Sequence, residues 1–339
     1  MSYVSILLRA FRKVMNNAKA ESYFPEKERK PYVQRLVENW AYLFRYRSVN
    51  DFYLLYGFDT KGADTGSYID YNQFARSRSR KNKIGDANSQ AVLLRDKFLF
   101  YGFMKSNKIA VPEVIAIVFQ NKLYDPQWNL LDTSFLDDRN DFFLKDAGGE
   151  CASFVKRCHG REDFERHFRE LDRNTLYVLQ ETICQHSAMN ELNPHSVNTV
   201  RIVTVMKDGV PSVLTSVLRV GTKSSGNVDN WAAGGLSVGC LEDGRLKEYG
   251  FYKPMYGTKT TVHPDTGIAF SDFRIPMYDQ VVDLVLRAHR HLYHMHSIGW
   301  DIAITDQGPV IIEGNDNWEI SLMQACDRPL KKEWEEAVS

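Results

Sequence analysis

Between Gly299 and Trp318 the chain reads G-W-D-I-A-I-T-D-Q-G-P-V-I-I-E-G-N-D-N-W, with two acids and an amide at a spacing that chemistry can use. The pattern predicts two apolar strands, Trp300 to Thr305 and Pro309 to Asn315. A three-residue loop, Asp306-Gln307-Gly308, joins them, with Gly308 in the left-handed position. If Thr305 faces Pro309, Asp301 faces Glu313, and side-chain alternation puts Asn315 on the same face as Glu313. Two carboxylates opposed across a hairpin repel each other unless a cation lies between them. Oxygen donors of this kind suit Mg2+, which carboxylates commonly share with nucleotide phosphates. A two-residue loop would shift the parity and remove the coincidence. An ordinary surface hairpin whose acids point into water has the same sequence, so spacing alone leaves both readings standing.

Further candidates lie upstream. The strand Asp141-Phe142-Phe143-Leu144-Lys145 runs into Asp146-Ala147-Gly148-Gly149-Glu150-Cys151-Ala152-Ser153. A lysine at the end of a buried strand, followed by paired glycines, brings an ammonium and backbone N–H groups to a phosphate. Glycine pairs also mark plain turns, and more often. The strand Thr175 to Gln180 closes in Gln180-Glu181-Thr182-Ile183, where backbone groups of a linker can pair with an adenine edge. Alternation over Val200 to Met206 and Pro211 to Val220, split by Lys207-Asp208-Gly209, predicts an antiparallel hairpin. Arg201 and Arg219 interrupt it, and arginine in an apolar strand either meets an anion or lies on a solvated face. The loop Asn230-Trp231-Ala232-Ala233-Gly234-Gly235 can bring backbone donors close to a carboxyl group.

The bulk properties narrow the class. A chain of 339 residues with 43% hydrophobic content can bury two or three substantial cores. Lys+Arg and Asp+Glu both number 43, and a net charge of zero gives no reason to expect nucleic acid as a partner. The five cysteines (Cys151, Cys158, Cys184, Cys240, Cys326) are scattered and lack C-x-x-C spacing, which argues against a disulfide framework and a zinc site and fits a reducing compartment. No run has the length of a membrane span, and charges interrupt the first twenty residues, so a soluble cytoplasmic protein is expected.

The elements that must position these residues follow from periodicity. Val4, Leu7, Leu8, Phe11, Val14 and Met15 make a basic amphipathic helix. Its stripe either docks on the rest of the protein, the commoner outcome, or touches a membrane surface through residues 1–20 without inserting stably. A second helix follows Pro31. From Gly57 to Gln90 the text turns polar, and Arg76, Arg78, Arg80, Lys81 and Lys83 read as a basic cluster in a loop, either solvated or receiving an anion. Asp96-Lys97 opens a helix to about Asn107, and Ile109-Ala110-Val111-Pro112 leads into a strand from Val114 to Phe119. The helix Tyr278 to His296 buries Val281, Val285, Ala288, Leu292 and Met295. Its histidines (His289, His291, His294, His296) read as a solvated face more readily than as a zinc site.

Taken in order, Asp96-Lys97 with Ile109-Ala110-Val111-Pro112, the Lys145 strand with Gly148-Gly149, the Gln180-Glu181-Thr182-Ile183 segment and the closing Asp301, Glu313 and Asn315 resemble the ATP-grasp superfamily. Within it, the chain is most similar to the sugar-transfer-associated branch, over about Leu93 to Ala325. The resemblance implies an α+β ATP-grasp fold, two α+β lobes clasping ATP after a mainly helical N-terminal region. Residues 1–90 would form the substrate-side region and 91–339 the ATP-grasp domain, with lobes at 91–180 and 181–330. It implies ATP and Mg2+ as cofactors. Lys97, Lys145, Gly148 and Gly149 would meet the phosphates. Gln180, Glu181 and the Ile183 backbone would meet adenine and ribose, and Asp301, Glu313 and Asn315 the metal. Trp300 stands in the region where D-alanine:D-alanine ligase has its catalytic arginine, so Arg201 takes that assignment, while Arg219 with Asn230, Gly234 and Gly235 is similar to ATP-grasp ligases that add amino acids to a peptide end and implies a substrate-binding site. The implied reaction joins a small-molecule carboxylate to an amine through an acyl phosphate, with sugar-linked substrates. A hydroxyl-directed kinase and a non-catalytic nucleotide-binding partner of a glycosyltransferase are the alternatives. The oligomeric state is open.

Overall fold

A computed structural model of the chain describes residues 3–82, 87–149, 154–226 and 229–339, without the side chains of residues 1–7, 87 and 88. In chain order the helices and strands are α1 (Tyr3–Lys19), α2 (Tyr32–Tyr46), α3 (Tyr71–Lys81), α4 (Ala87–Arg95) and α5 (Lys97–Ser106), then β1 (Val114–Phe119), β2 (Lys122–Tyr124), β3 (Leu130–Leu131), β4 (Phe142–Asp146) and β5 (Val155–Cys158). There follow α6 (Arg161–Phe168), β6 (Tyr177–Glu181), α7 (Ser187–Leu192), β7 (Thr199–Lys207), β8 (Val210–Val220), β9 (Leu236–Cys240), β10 (Leu246–Tyr252) and β11 (Lys259–Thr260). The chain closes with α8 (Tyr278–His291), β12 (Ser297–Thr305), β13 (Gly308–Asn315), α9 (Ile320–Cys326) and α10 (Lys331–Val338). The class is α+β with a helical N-terminal region. No helix among the described residues is long and apolar enough to cross a membrane.

The chain divides into two units, each packed mainly on itself. Unit 1 holds residues 1–77, 216–274 and 319–339, and unit 2 holds 78–215 and 275–318. Within unit 2 a six-stranded sheet has the order β3-β2-β1-β6-β4-β5, antiparallel between the neighbours on both sides of β6. Its core includes Phe142, Leu144, Phe164 and Leu179, the inward residues of β4, β6 and α6. The same unit contains the β7, β12 and β13 ladder, in which β12 pairs antiparallel with both neighbours, and α8 packs on β7. Gly314 allows that packing to be tight: a Cβ there would come within 2.7 Å of Leu94 Cδ2 and 3.0 Å of the Trp300 ring. β7 turns into β8 through Asp208-Gly209, both at positive φ (52° and 76°), the pair a two-residue hairpin favours.

Unit 1 contains α1 and α2, the β8, β9, β10 and β11 strands from Ser216 onward, and α9 and α10. Val14 and Ala18 of α1 are buried and Phe11 lies 5.6 Å from the Trp40 ring of α2, so the helix docks by its later turns, while Leu8 and Phe11 stay exposed. Val4 and Leu7, the start of the expected stripe, have side chains outside the described residues.

Two expectations about local structure are corrected. The basic cluster is helical over Tyr71–Lys81, and Arg78 is only 5% exposed, donating to Trp318 O and Asn317 Oδ1. Its guanidinium is spent on a backbone end and an amide, so it is neither solvated nor open to an anion; Lys83 lies outside the described residues. The α8 helix ends at His291, and His289 is fully buried instead of lying on a solvated face. His289 follows Val281 and Val285 by eight and four residues, which puts it on the apolar stripe.

Candidate functional site

The site is built by six elements of unit 2: α5, β4, β6, β7, β12 and β13. At the start of α5, Asp96 caps the helix by accepting from the N–H groups of Phe98 and Leu99, each at 2.9 Å, which makes Lys97 the first helical residue. The Lys97 backbone N–H donates to Ala147 O at 2.8 Å and its Nζ to Gly149 O at 2.7 Å, so the helix start is tied to the loop after β4. In that loop Gly148 N–H donates to Asp146 Oδ1 at 2.9 Å. A Cβ at Gly148 would find nothing nearer than that oxygen, at 3.9 Å, so the backbone is open on that side. Residues 150–153, the rest of the expected glycine-rich loop, lie outside the described residues.

Lys145 is the penultimate residue of β4, opposite Val178 of β6, and its Nζ donates to Gln180 Oε1 at 2.6 Å. Burial pulls this ammonium down to about 8, with Lys97 adding to the lowering and Glu313 opposing it. Lys97 is also lowered by burial, against the pull of Glu313, Asp146 and Asp96. Both ammoniums are therefore held near the Glu313 carboxylate while donating to neutral oxygens. Gln180 serves as the bracket for Lys145. Glu181 is exposed, with Arg139 at 3.5 Å, and its N–H donates to Glu113 O at 2.9 Å. The chain leaves the β6 ladder after Glu181, so Ile183 presents loop backbone.

The acidic pair sits on β12 and β13, reached by a route the expected loop does not provide. Thr305 pairs with Gly308, so the loop has two residues, Asp306 and Gln307, and this parity alone would misalign the acids. The register holds from Ile302↔Ile311 and then shifts to Asp301↔Glu313, leaving Ile312 as the extra residue of a β-bulge. The bulge restores the pairing that the shorter loop removes. Gly308, at φ 127°, closes the turn, with Thr305 Oγ1 donating to its carbonyl at 2.8 Å.

Burial pushes the Glu313 carboxyl up, and neighbouring Asp301 raises it further by charge and by a shared hydrogen bond; Arg201 and Asn315 oppose the shift. Asn315 Nδ2 donates to Glu313 Oε1 at 3.2 Å and to Gly299 O at 3.4 Å. Asp301, 4% exposed, faces Arg201 of β7 across the ladder and takes both prongs of its guanidinium, Nη2 to Oδ2 at 2.6 Å. Two carboxylates and an amide make an all-oxygen donor set that suits a hard divalent cation. No group of three or more His, Cys, Asp or Glu that could hold a metal occurs among the described residues, so the amide of Asn315 is needed to complete a set of three.

The structure thus gathers Lys97, Lys145, Gln180, Arg201, Asp301, Glu313 and Asn315 into one electrostatically coupled group. Sequence reasoning assigns no place in the site to Asp96 and Asp146, the further acids that Lys97 feels; the capping position of Asp96, directly before a helix, is the available signal. Trp300, beside Asp301, points the other way: it is fully buried and its Nε1 donates to Thr204 Oγ1 at 2.8 Å.

Arg219, Asn230, Gly234 and Gly235 belong to unit 1. There Arg219 meets Asp229 at 3.5 Å, Asn230 caps a 3-10 turn by accepting from Ala232 N–H at 2.9 Å, and Gly234 ends that turn at φ 99°. Gly235 has backbone oxygens of Val220, Asp229 and Asn230 within 3.0–3.2 Å of where a Cβ would sit, so a side chain there would press on three carbonyls.

The model of one protein family, sugar-transfer associated ATP-grasp, matches residues 78–336. The chain belongs to this ATP-grasp family. Solved structures with a similar course of the chain include D-alanine–D-alanine ligase from Bacillus anthracis (12% identity, TM-score 0.43, 73% of this chain and 66% of that one). Another is an ATP-grasp RimK domain protein from Sphaerobacter thermophilus (13%, 0.40, 70% and 67%), and a third is L-amino acid ligase from Bacillus licheniformis (12%, 0.39, 71% and 45%). The match spans less than two thirds of the first of these chains. A search of curated proteins returned no match.

Proposed function

We propose that the chain is an ATP- and Mg2+-dependent carboxylate–amine ligase that joins an amino acid or amine to a sugar acid or a related cell-envelope precursor. The supporting observation is the coupling of two partly buried, depressed ammoniums, Lys97 and Lys145, to a partly buried, elevated carboxyl, Glu313. Burying charges this way is costly unless a ligand completes them. A polyphosphate answers the lysines and a divalent cation answers the acids. Relatives of known structure include a D-alanine–D-alanine ligase complexed with ATP and a biotin carboxylase domain with MgADP.

In this reading Lys97 and Lys145 hold the phosphates, the open backbone at Gly148 and Gly149 approaches them, and Glu181 with the Ile183 backbone receives ribose and adenine. Asp301, Glu313 and Asn315 would hold Mg2+, which when bound neutralises phosphate charge. Arg201 sits with Asp301 and supplies the positive charge nearest the acids, the role of a catalytic arginine. Phosphoryl transfer calls for positioning and charge neutralisation more than for a nucleophilic side chain, and these residue types meet that need. The substrate carboxylate oxygen attacks the γ-phosphorus, the bond to the bridging oxygen breaks and ADP leaves. The amine then attacks the acyl carbon, phosphate departs, and the amine loses a proton to solvent. We further propose that Arg219 and the loop of Asn230, Gly234 and Gly235 receive the carboxylate, that residues 1–90 form a substrate-side region before an ATP-grasp domain of lobes 91–180 and 181–330, and that the protein works in the cytoplasm.

An ADP-release screen of amino acids against sugar acids with Mg2+ tests this reading. ADP should appear only when acid and amine are both present, and hydroxylamine should trap a hydroxamate from the acid. ADP release that leaves phosphate on a hydroxyl acceptor would replace the ligase with a kinase.

A further inference from the structure

Unit 1 carries a partly open cavity of about 970 Å³, near the top of the range of about 300–1,000 Å³ usual for small-molecule sites. Its aromatic lining forms two runs. Phe52, Tyr56 and Tyr68 continue one another, with centroids 5.7 Å and 4.6 Å apart and planes tilted by 23° and 30°, and Tyr42 lies 4.6 Å from Tyr46. Two lining rings, Tyr53 and Tyr42, are fixed by their polar ends. Tyr53 donates to Glu38 Oε2 at 2.6 Å, Tyr42 donates to Asp70, and burial with those bonds keeps both phenols protonated.

Charge of both signs lines the cavity in nearly equal number. Lys30 pairs with Glu38 at 3.0 Å and Lys13 with Asp51 at 2.9 Å. The side chains of Glu319 and Lys253 also face the cavity and, among the described residues, take part in no hydrogen bond or ion pair. A polyanion would meet Glu38, Asp51, Asp70 and Glu319; a polycation would meet Lys13, Lys30, Arg45, Lys253 and Lys331. An apolar chain would strand the free carboxylate and ammonium. What suits flat aromatic faces edged with both donors and acceptors is a ring that is apolar on its C–H face and hydroxylated at its rim.

We propose that this cavity binds an uncharged oligosaccharide, its sugar rings stacked on the aromatic runs and its hydroxyls bonded to Glu319, Lys253 and the carboxylates. The inference deepens the proposed function by assigning the cavity to a neutral sugar segment of the substrate, distinct from the acid or amine group that reacts, and rests on that reading only for the use made of the bound sugar.

The test is saturation-transfer NMR on the full chain without nucleotide, using maltotetraose, chitotetraose and a sulfated heparin tetrasaccharide as probes. At least one neutral probe should receive saturation at its ring protons, and its affinity should fall about tenfold in Tyr46→Ala and in Tyr71→Ala, both at partly or largely exposed lining positions. Glu319→Gln, which removes no internal bond, should weaken binding of the same probe while leaving the thermal midpoint in place. No transfer to either neutral probe, transfer to the sulfated probe alone, or equal affinity in all three variants would overturn the proposal. Because nucleotide is left out, a dead ATP site leaves this result readable, and an empty cavity leaves the ATP reading standing.

Discussion

Trp300 and Asp301 are neighbours on β12, and because side chains alternate along a strand they lead into two different polar networks. On the Trp300 side everything is closed. His289 Nε2 meets Met295 O at 2.9 Å, so Nε2 carries the proton and Nδ1 accepts from Thr204 Oγ1 at 2.7 Å, while the Thr204 oxygen accepts from Trp300 Nε1. The network is neutral, and burial pushes His289 down to about 4. On the Asp301 side the groups are charged and displaced from their ordinary ionisation: Glu313 upward, Lys145 and Lys97 downward. Polar groups buried for stability are satisfied by the fold itself. Groups left electrostatically strained in one place are the ones a ligand is expected to complete. The contrast is open to test by substitutions on either side of β12.

The largest effect is expected at Glu313. Glu313→Gln keeps the shape and removes the charge that couples both lysines, so Mg2+-dependent ADP release should fall on the order of 10³-fold, the scale of losing several kcal/mol of transition-state stabilisation. Circular dichroism should show an unchanged fold. Normal turnover would end the argument that Asp301 and Glu313 form a metal pair.

Next is Lys145. Its folded value of about 8 lies below the ordinary 10.5, so the ammonium is fully present below about pH 8 and is lost as pH rises through that value. Since only the charged form attracts phosphate, kcat/KM for ATP should decline about tenfold per pH unit above 8. Lys145→Arg should push that decline beyond the measurable range, at the cost of a lower plateau. A profile flat to pH 10 in the unaltered protein would remove Lys145 from the phosphate site.

Arg201 should matter less steeply, because Asp301 keeps Asn315 and Glu313 as neighbours when the guanidinium goes. Arg201→Ala is expected to lower ATP turnover by about 10²-fold, within the range for losing one donor aimed at developing charge. Arg201→Lys should recover part of it. Turnover untouched by Arg201→Ala would leave the arginine as no more than a strut for Asp301.

How far the sequence displays this contrast depends on where each structural decision is made. The facing of Asp301 and Glu313 is legible as a register problem, yet the loop that would set it has two residues, and Ile312 makes up the difference as a bulge. A bulge is decided by what packs on the ladder, here Leu94 and Trp300 closing on Gly314, and no local propensity announces it. The lysines are legible because a strand end and a capped helix start are local features. Arg78 is not: a polar Arg/Ser-rich run reads as loop until the Trp318 carbonyl and Asn317 amide are there to receive it. His289 stands on the stripe of Val281 and Val285 in plain view, and grouping it with the less buried histidines that follow hides its place in the core.

The smallest effect belongs to the closed network, and it must appear in stability alone. Thr204→Val keeps the volume but leaves Trp300 Nε1–H and His289 Nδ1 without their shared partner, which should cost about 1–3 kcal/mol in urea unfolding. ADP release per folded molecule should not change, since Thr204 belongs to the opposite face of the sheet from Asp301's contacts. The pH dependence has a definite sign. His289 falls from 6.5 to about 4 on folding, so between those values the unfolded chain binds the extra proton. Its contribution is complete above pH 6.5 and is lost as pH falls toward 4. His289→Gln, which does not titrate, should therefore lower stability near pH 7 and flatten this acid limb. If Thr204→Val instead reduces turnover per folded molecule, the two faces of β12 are coupled and the division between a stabilising network and a ligand-completed one fails.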